Sequence, residues 1–347
     1  MEPEVGARAV AEGRIDGVGI ARQFLADPEW ITKLMAGDLE SIRPCICCHN
    51  ACFNMAHYKG VGNDQTLADN AGMARCALNP ETMQSTRYKI EVTQQPKTVA
   101  VVGGGIGGME AARVLALRGH RVTLYEQSDR LGGVFIAAAA PSFKEKDREL
   151  IRWYEKQMRE LPIRVELNRK IADVSTLNAD EVIIATGSKA RRLPVEKSIE
   201  ACDYLLGRKP VGDRVILIGG GLTGCEIALD LYLKGKTPVI VEMKNDLIAV
   251  KGVCLANSSY LRDFFALHQV EVHLNTRLTE VTDQGVLVQN EKGEAFEIPG
   301  DTVLLSAGYV PTPLTPAGKH IHLVGDCNGV GNLRTVIWRA WDVAMKI

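Results

Sequence analysis

From Lys97 onward the chain alternates between two kinds of apolar stretch. Thr98-Val99-Ala100-Val101-Val102 is a short β-branched run, the pattern of a parallel strand covered on both faces. A glycine-rich loop follows, then an amphipathic helix through Leu117, then a second strand from Arg121 to Glu126. This predicts the opening of a βαβ unit. The pattern returns further on: Arg214 to Ile218 as strand, Gly219 to Gly224 as glycine loop, Cys225 to Lys234 as helix, Pro238 to Glu242 as strand. Each copy is followed by another apolar run that ends in small residues, Glu181 to Gly187 after the first and Asp301 to Gly308 after the second. Near the end, His322 to Asp326 predicts a strand finishing in an exposed acid, and a helix runs from about Val330 to the last residue.

The first part of the chain lacks this order. Residues 1–40 read as helix, strand, helix, with a strand-like run at Asp16 to Ala21. Asp27-Pro28 predicts a helix start, Asp27 as N-cap and Pro28 at the first helical position. Residues 41–90 are irregular and rich in cysteine, and Glu91 to Pro96 is a polar linker. The whole chain has 347 residues, enough for two to three domains.

Composition narrows the function classes. Hydrophobic residues at 46% and charged residues at 24% predict a globular chain rather than a disordered one. Lys plus Arg is 41 and Asp plus Glu is 42, with no basic stripe, so no nucleic-acid partner is expected. The longest apolar runs, such as Phe135 to Pro141, fall far short of the roughly 20 residues that span a bilayer. The opening Met1-Glu2-Pro3-Glu4 is acidic and no apolar signal segment follows, which predicts a cytoplasmic protein. High glycine (33) with low aromatic content (5%) suits an α/β protein with glycine-rich nucleotide loops.

Those loops carry the first chemistry. Gly103, Gly105 and Gly108 fit G-x-G-x-x-G between strand and helix. The first glycine makes the tight turn, the second admits a pyrophosphate to the backbone, and the third lets helix and strand pack closely. The helix N-terminus then attracts the anion. Glu126 closes the second strand, where an acid binds ribose hydroxyls. Gly219, Gly221 and Gly224 repeat the arrangement, with Glu242 as the acid. An acid there favours the free 2′-hydroxyl of NADH over the 2′-phosphate of NADPH, while Lys244 nearby works the other way. A vestigial second site, structural or holding an unreactive nucleotide, is the competing reading.

Two such units, with Ala185-Thr186-Gly187 and Gly325-Asp326, resemble the two-dinucleotide-binding flavoprotein disulfide reductase-like architecture. The resemblance implies FAD on the first unit and NAD(P)H on a second unit inserted into it. It places Asp326 on the FAD ribityl chain, Arg130-Leu131-Gly132-Gly133 beside the FAD, and Thr186 and Gly187 in the same site. A redox-active Cys-x-x-Cys in the second unit is missing, since Cys202, Cys225 and Cys254 are far apart; they read as buried small hydrophobes. Cys327, next to Asp326, reads as packing or as a neighbour of the flavin.

Nine cysteines include four within eight residues, Cys45, Cys47, Cys48 and Cys52. In a chain expected to be cytoplasmic, such clustering points to metal rather than disulfides. Cys45-x2-Cys48-x3-Cys52, with Cys76 as a fourth thiolate, suffices for a [4Fe–4S] cluster. A structural zinc site on four thiolates stays open, because spacing does not separate the two. Cys47 reads as a bystander, since adjacent residues rarely face one metal. His49 and His57 flank the cluster, but four cysteines already complete it.

The order of these motifs, with Asp16-Gly17-Val18, Ala21-Arg22, Ala26-Asp27-Pro28-Glu29-Trp30, Arg43-Pro44-Cys45 and Cys76-x-x-Asn79-Pro80, resembles the C-terminal part of the 2,4-dienoyl-CoA reductase, 2-enoate reductase and trimethylamine dehydrogenase family, NADH:flavin oxidoreductases related to old yellow enzyme. Pro141-Ser142-Phe143-Lys144 and Val211 to Val215 match its linking segments. The resemblance implies that electrons run from NADH to FAD, then through [4Fe–4S] to an FMN-binding TIM barrel that reduces an activated C=C bond. Of that barrel only the last strand and helix have counterparts here. Arg22 would contact the FMN phosphate if a barrel supplied FMN, and otherwise would be solvated.

The expected fold class is therefore α/β: a two-dinucleotide-binding-domain flavoprotein, an FAD domain with an inserted NAD(P)H domain, preceded by an iron–sulfur segment and a TIM-barrel remnant. The expected divisions are 1–40 for the remnant, 41–95 for the iron–sulfur segment, 96–200 and 316–347 for the FAD domain, and 201–315 for the NAD(P)H domain. The expected function is an NADH-dependent oxidoreductase module for enoate or dienoyl-CoA-type substrates, reached through the barrel or a partner subunit, with homo-oligomerisation open. A stand-alone diaphorase and a non-catalytic nucleotide-binding remnant are the alternatives, as is the choice between fragment and free-standing subunit.

Overall fold

The computed structural model describes residues 3–56, 73–250 and 253–347; His57 and most of the stretch between Cys52 and Cys76 lie outside them. Three helices open the chain: α1 (Pro3–Ala11), α2 (Arg22–Ala26) and α3 (Trp30–Met35). The strand expected at Asp16 to Ala21 does not form. No described strand lies beside it to take its backbone hydrogen bonds, and β-structure needs that neighbour. The helix expected at Pro28 begins instead at Trp30. Asp27 accepts the N–H of Glu29 at 3.1 Å and the N–H of Arg43 at 2.8 Å, so it ties a turn to a distant segment.

The first unit contains β1 (Thr98–Val102), α4 (Ile106–Leu117), β2 (Arg121–Tyr125), α5 (Phe135–Ala138), α6 (Glu145–Glu160), β3 (Ile163–Glu166) and β4 (Glu181–Ile184). A short link strand, β5 (Ser188–Ala190), leads to the second unit. That unit holds β6 (Ile199–Glu200), α7 (Ala201–Leu205), β7 (Arg214–Ile218), α8 (Leu222–Leu233), β8 (Thr237–Val241), α9 (Leu255–Leu267) and β9 (Glu271–His273). It continues through β10 (Thr276–Val281), β11 (Gly285–Asn290), β12 (Ala295–Pro299) and β13 (Thr302–Leu305). The chain returns by β14 (Tyr309–Pro311) to β15 (Ile321–Leu323) and ends in α10 (Leu333–Lys346).

The two units have equivalent parallel sheets, ordered β15-β4-β1-β2-β3 and β6-β13-β7-β8-β9. Val102 pairs with both Tyr125 and Ile184, and Ile218 with both Val241 and Leu305. In each sheet the carboxyl ends of three neighbouring strands are thus level, which brings their following loops together. The antiparallel sheet β10-β11-β12 covers the second sheet and has no counterpart in the first. β5 and β14 pair antiparallel where the chain crosses between units. The second sheet starts at Ile199, two residues before the expected boundary.

Helix α4 is not amphipathic as its sequence suggested: every residue from Ile106 to Ala116 is buried. It lies between the first sheet and α10, so it has no wet face. Ala51, Ala77, Leu78 and Tyr88 of the cysteine-rich stretch join the same core. α10 begins at Leu333 rather than Val330 because Asn332 and Thr335 form a reciprocal cap. No helix among the described residues is long and apolar enough to cross a membrane.

Candidate functional site

The glycine loops sit at the level strand ends of the two parallel sheets. Gly103 has φ +115° and Gly219 φ +112°, and a Cβ on either would lie 2.3 Å from a carbonyl oxygen, of Ala185 and Ser306 respectively. A Cβ on Gly108 would stand 1.9 Å from Gly103 O, and on Gly224 2.0 Å from Gly219 O. These four glycines close helix onto strand. Gly105 and Gly221 differ: nothing lies within 4 Å of an added Cβ. Each is the N-cap of its helix, so the free N–H groups of α4 and α8 face open space, as an anion site requires. The sequence reading passed over Gly104 and Gly220. A Cβ there would meet Leu131 and Leu247 at 2.6 Å, and Glu126 and Glu242 at 3.1 and 3.0 Å. The signal was present, since both loops have glycine at the variable position as well.

The two acids are clamps on their own loops. Glu126 accepts Gly104 N–H at 2.7 Å on Oε2, and on Oε1 both the N–H and the hydroxyl of Ser128 at 2.8 Å. Glu242 accepts Gly220 N–H at 2.6 Å and Lys244 N–H at 2.9 Å. A carboxylate offers about four acceptor positions, so both acids keep capacity for a ribose hydroxyl. The Lys244 ammonium donates to Ala249 O at 3.2 Å.

Around the first loop, Gly132 N–H donates to Gly104 O at 2.9 Å and Gly133 packs on Gly105. Arg130 points outward, paired with Asp129 at 3.1 Å. Asp326 lies on the turn after β15, accepting Ser188 Oγ at 3.0 Å and Gly331 N–H at 3.1 Å. Thr186 donates to Thr312 O at 2.7 Å, and Gly187 O accepts Thr312 N–H at 3.1 Å. Asp326, Thr186 and Gly187 therefore meet at the crossing between units. Cys327 is buried and donates to Ile184 O and Val324 O, each at 3.1 Å, which favours packing. Cys225 and Cys254 are buried as expected, but Cys202 is only half-buried and contacts Tyr309 Oη at 3.0 Å. Its place on α7 at the crossing, beside β14, brings that hydroxyl to it.

A bridge between units was not anticipated. Lys144, just before α6, donates to Glu226 on α8 at 2.6 Å. Burial pushes the nearby Asp147 carboxyl up to about 6, with Glu226 adding to the rise and Lys144 opposing it.

Cys45, Cys48, Cys52 and Cys76 line one pocket, and so do Cys47, Arg22 and His49. Arg22 is not merely solvated: its guanidinium contacts His49 Nε2. Burial pushes the Cys48 thiol up to about 12 and Cys76 to about 11, and it raises Cys45 and Cys52 as well. Such thiols become thiolates only beside strong positive charge, as a metal group provides. Among the described residues no three His, Cys, Asp or Glu side chains converge tightly enough for a single metal ion.

Distant parts of the chain hold this pocket in shape. Gln23 accepts Cys45 N–H at 3.0 Å and donates to Arg43 O at 2.8 Å. Arg43 donates to Leu78 O at 2.9 Å. Trp338 of α10 donates to Cys76 O at 3.1 Å, and Asn257 of α9 to Cys48 O at 3.3 Å. Burial lowers the nearby Arg334 guanidinium to about 10, with the like charge of Arg75 adding to the fall. The sequence reading named none of these supports, because each joins residues far apart in the chain.

The comparisons with known proteins agree with this geometry. The family described as pyridine nucleotide-disulphide oxidoreductase matches residues 66–179 and 97–344. Cinnamate reductase of Clostridium sporogenes is 37% identical over 100% of this chain and 52% of its own length. NADH oxidase of Thermoanaerobacter brockii is 32% identical over 100% of this chain and 54% of its own. The solved structure of a 2-naphthoyl-CoA reductase with 2-naphthoyl-CoA superposes with a TM-score of 0.86 at 29% identity, covering 100% of this chain and 53% of that one. The chain thus spans about half the length of the relatives it matches. With two equivalent dinucleotide sheets in place, the chain belongs to the pyridine nucleotide-disulphide oxidoreductase family, in the branch of the 2-enoate reductases.

Proposed function

We propose that this chain is an NADH-dependent electron-input module for the reduction of α,β-unsaturated acyl compounds of enoate or dienoyl-CoA type. The observation behind this reading is that two dinucleotide loops and a four-thiol pocket share one body, with Trp338 of the first unit bonded to the carbonyl of Cys76. Gly103, Gly105, Gly108, Glu126, Thr186, Gly187 and Asp326 would hold FAD, which when bound would accept a hydride and release single electrons. The chain's own part is binding and orientation. The N-terminus of α4 would receive the FAD pyrophosphate, and that of α8, at Gly221, the NADH pyrophosphate. Glu242 favours NADH through its spare acceptor positions. The β5–β14 link and the Lys144–Glu226 bridge keep the two units in register.

A [4Fe–4S] cluster on Cys45, Cys48, Cys52 and Cys76 supplies single-electron transfer. A structural zinc on the same four thiols is the competing occupant, and the metal count in the test below separates the two. An FMN barrel is the proposed acceptor and the site of substrate reduction, and cytoplasm the proposed location. The similarity to an NADH oxidase favours a second reading, in which the module also passes electrons to small acceptors by itself.

The test is an anaerobic visible spectrum before and after stoichiometric NADH, with iron, sulfide and zinc counted. Flavin bands and a broad shoulder that both bleach support the proposal. Flavin that stays oxidised, or zinc in place of iron, refutes it.

A further inference from the structure

We infer that α9 joins the nucleotide loop of the second unit to the cysteine loop, so that filling either site strengthens binding at the other. The inference rests on the nucleotide reading of that unit and on a metal group at the cysteines, iron–sulfur or zinc. The first turn of α9 reaches the cysteine loop. Asn257 Nδ2 donates to Cys48 O at 3.3 Å. Cys254, the buried N-cap of α9, adds to the rise of the Cys52 thiol that burial causes. Further along the same helix, Arg262 grips the segment after Glu242. Its Nε donates to one carboxylate oxygen of Asp246 at 3.0 Å, and its Nη2 to the other at 2.8 Å and to Leu247 O at 2.5 Å. Leu261 and Phe265 share a core with Leu247 and Ile248. Ile248 N–H then donates to Gly220 O at 2.8 Å, within the dinucleotide loop. One helix thus holds the cysteine loop at its start and the backing of the nucleotide loop along its middle.

Both attachments hold backbone that would not keep its shape alone. Cys47 and His49, on either side of Cys48, each have φ +55°, and Ile248 has φ +52°. Left-handed backbone is costly for L-residues, most of all for a β-branched one. It persists only where the surroundings fix it. The Asn257 amide fixes Cys48 O between its two left-handed neighbours. Gly220 O and Val250 N–H fix Ile248 from its two sides, at 2.8 Å each. A metal on the cysteines adds bonds that hold the first loop, and a pyrophosphate at the α8 N-terminus adds contacts that hold the second. Because α9 carries both attachments, the ordering done by one ligand need not be repeated for the other. The two bindings then reinforce each other by the same factor in either direction.

The test uses ADP-ribose, which has the pyrophosphate and ribose of NADH but no hydride to give, so the flavin stays oxidised. Its dissociation constant is measured by calorimetry on FAD-loaded protein, with metal on the cysteines and after removal of the metal by a chelator, iron and zinc being counted in both. Metal is expected to tighten ADP-ribose binding at least about fivefold in the wild type. Asn257→Ala removes the donor while improving the helix propensity of its position, so α9 is kept. It is expected to bring the factor below about twofold. Arg262→Met leaves Asn257 in place but releases α9 from Asp246 and Leu247 O, and is expected to do the same. If the stripped protein does not stay folded, the rate of metal loss to the chelator with and without saturating ADP-ribose makes the comparison. The nucleotide is then expected to slow the loss at least about fivefold in the wild type and less than about twofold in Asn257→Ala. Equal affinity with and without metal in the wild type, or an equal rate of metal loss with and without nucleotide, overturns the inference. So does a wild-type factor in Asn257→Ala or Arg262→Met. Wild-type protein that carries no metal, or that does not bind ADP-ribose, overturns the reading of that site, and the inference with it.

Discussion

Two alanine substitutions one helical turn apart separate the nucleotide from the fold. At Gly221 the backbone is extended, φ −69° and ψ 179°, and no atom lies within 4 Å of an added Cβ. Alanine fits there without strain. Reduced freedom of the unfolded chain stabilises by about 0.4–1 kcal/mol, and the weaker N-cap acts in the opposite direction. The net change in stability is expected within about 1 kcal/mol, or roughly 1–2 °C in Tm for a chain of this length. The methyl group, however, occupies the space before the α8 N-terminus. Losing one charge-assisted hydrogen bond to the pyrophosphate costs about 1.5–3 kcal/mol, roughly a 10- to 150-fold rise in the NADH concentration that half-saturates flavin reduction. Gly224→Ala is the contrast. Its Cβ would sit 2.0 Å from Gly219 O, a backbone atom, where ordinary contact begins at 3.4 Å. Helix and strand must separate by more than an ångström, and overpacking of this kind costs about 1–3 kcal/mol or more. Stopped-flow bleaching of the flavin against NADH concentration gives the first quantity, and thermal unfolding gives the second. FAD content should be unaffected in Gly221→Ala, since the FAD loop is untouched. A Gly221→Ala protein with wild-type NADH dependence, or one as unstable as Gly224→Ala, would refute the reasoning.

Further substitutions probe the other parts. Glu242→Ala removes the acceptor of two loop N–H groups and should both lower the melting temperature and weaken the preference for NADH over NADPH, whereas Glu242→Gln should restore part of the stability; an unchanged cofactor ratio in both counts against the ribose role of this acid. The Asp147 carboxyl, raised to about 6 by burial, is more easily protonated folded than unfolded, so its contribution to stability is full below about pH 4 and is lost as pH rises to about 6, by roughly 3 kcal/mol. Asp147→Asn should flatten denaturant-derived stability across that window, and an unaltered slope would show that the carboxyl is not held in this state. Cys48→Ser should lose iron while Cys47→Ser, whose thiol is exposed, keeps it; equal iron in the two proteins would remove Cys48 from the ligand set.

Much of the fold was legible because it is written locally. The β-branched runs at Thr98 to Val102 and Arg214 to Ile218 formed the strands they predicted. The glycines between strand and helix were legible because only glycine tolerates a carbonyl at 2.3 Å from its Cβ position. The failures were equally physical. Asp16 to Ala21 has the composition of a strand and no partner. α4 reads as amphipathic, yet α10, some two hundred residues later, covers the side that would have been wet. The antiparallel sheet β10-β11-β12 lacks a strong apolar run, since one face of it is exposed, and it went unnoticed.

The cysteine site shows the same division. The sequence by itself determined which groups are present: two glycine loops with their acids, four thiols at cluster spacing, and the repeat that pairs one dinucleotide unit with another. These depend on spacing along a few residues, where backbone geometry leaves little choice. Only the tertiary structure decided that Cys76 joins the first three thiols in one pocket, that Arg22 turns to His49, that Glu126 and Glu242 clamp their own loops, and that Lys144 bridges the units. Each of these joins groups whose contact depends on how whole sheets and helices stack. Arg75 sits at the boundary between the two. Its place next to Cys76 is plain in the sequence, but a surface arginine and a buried one are written alike, and only packing against Trp338 and Tyr88 buries it.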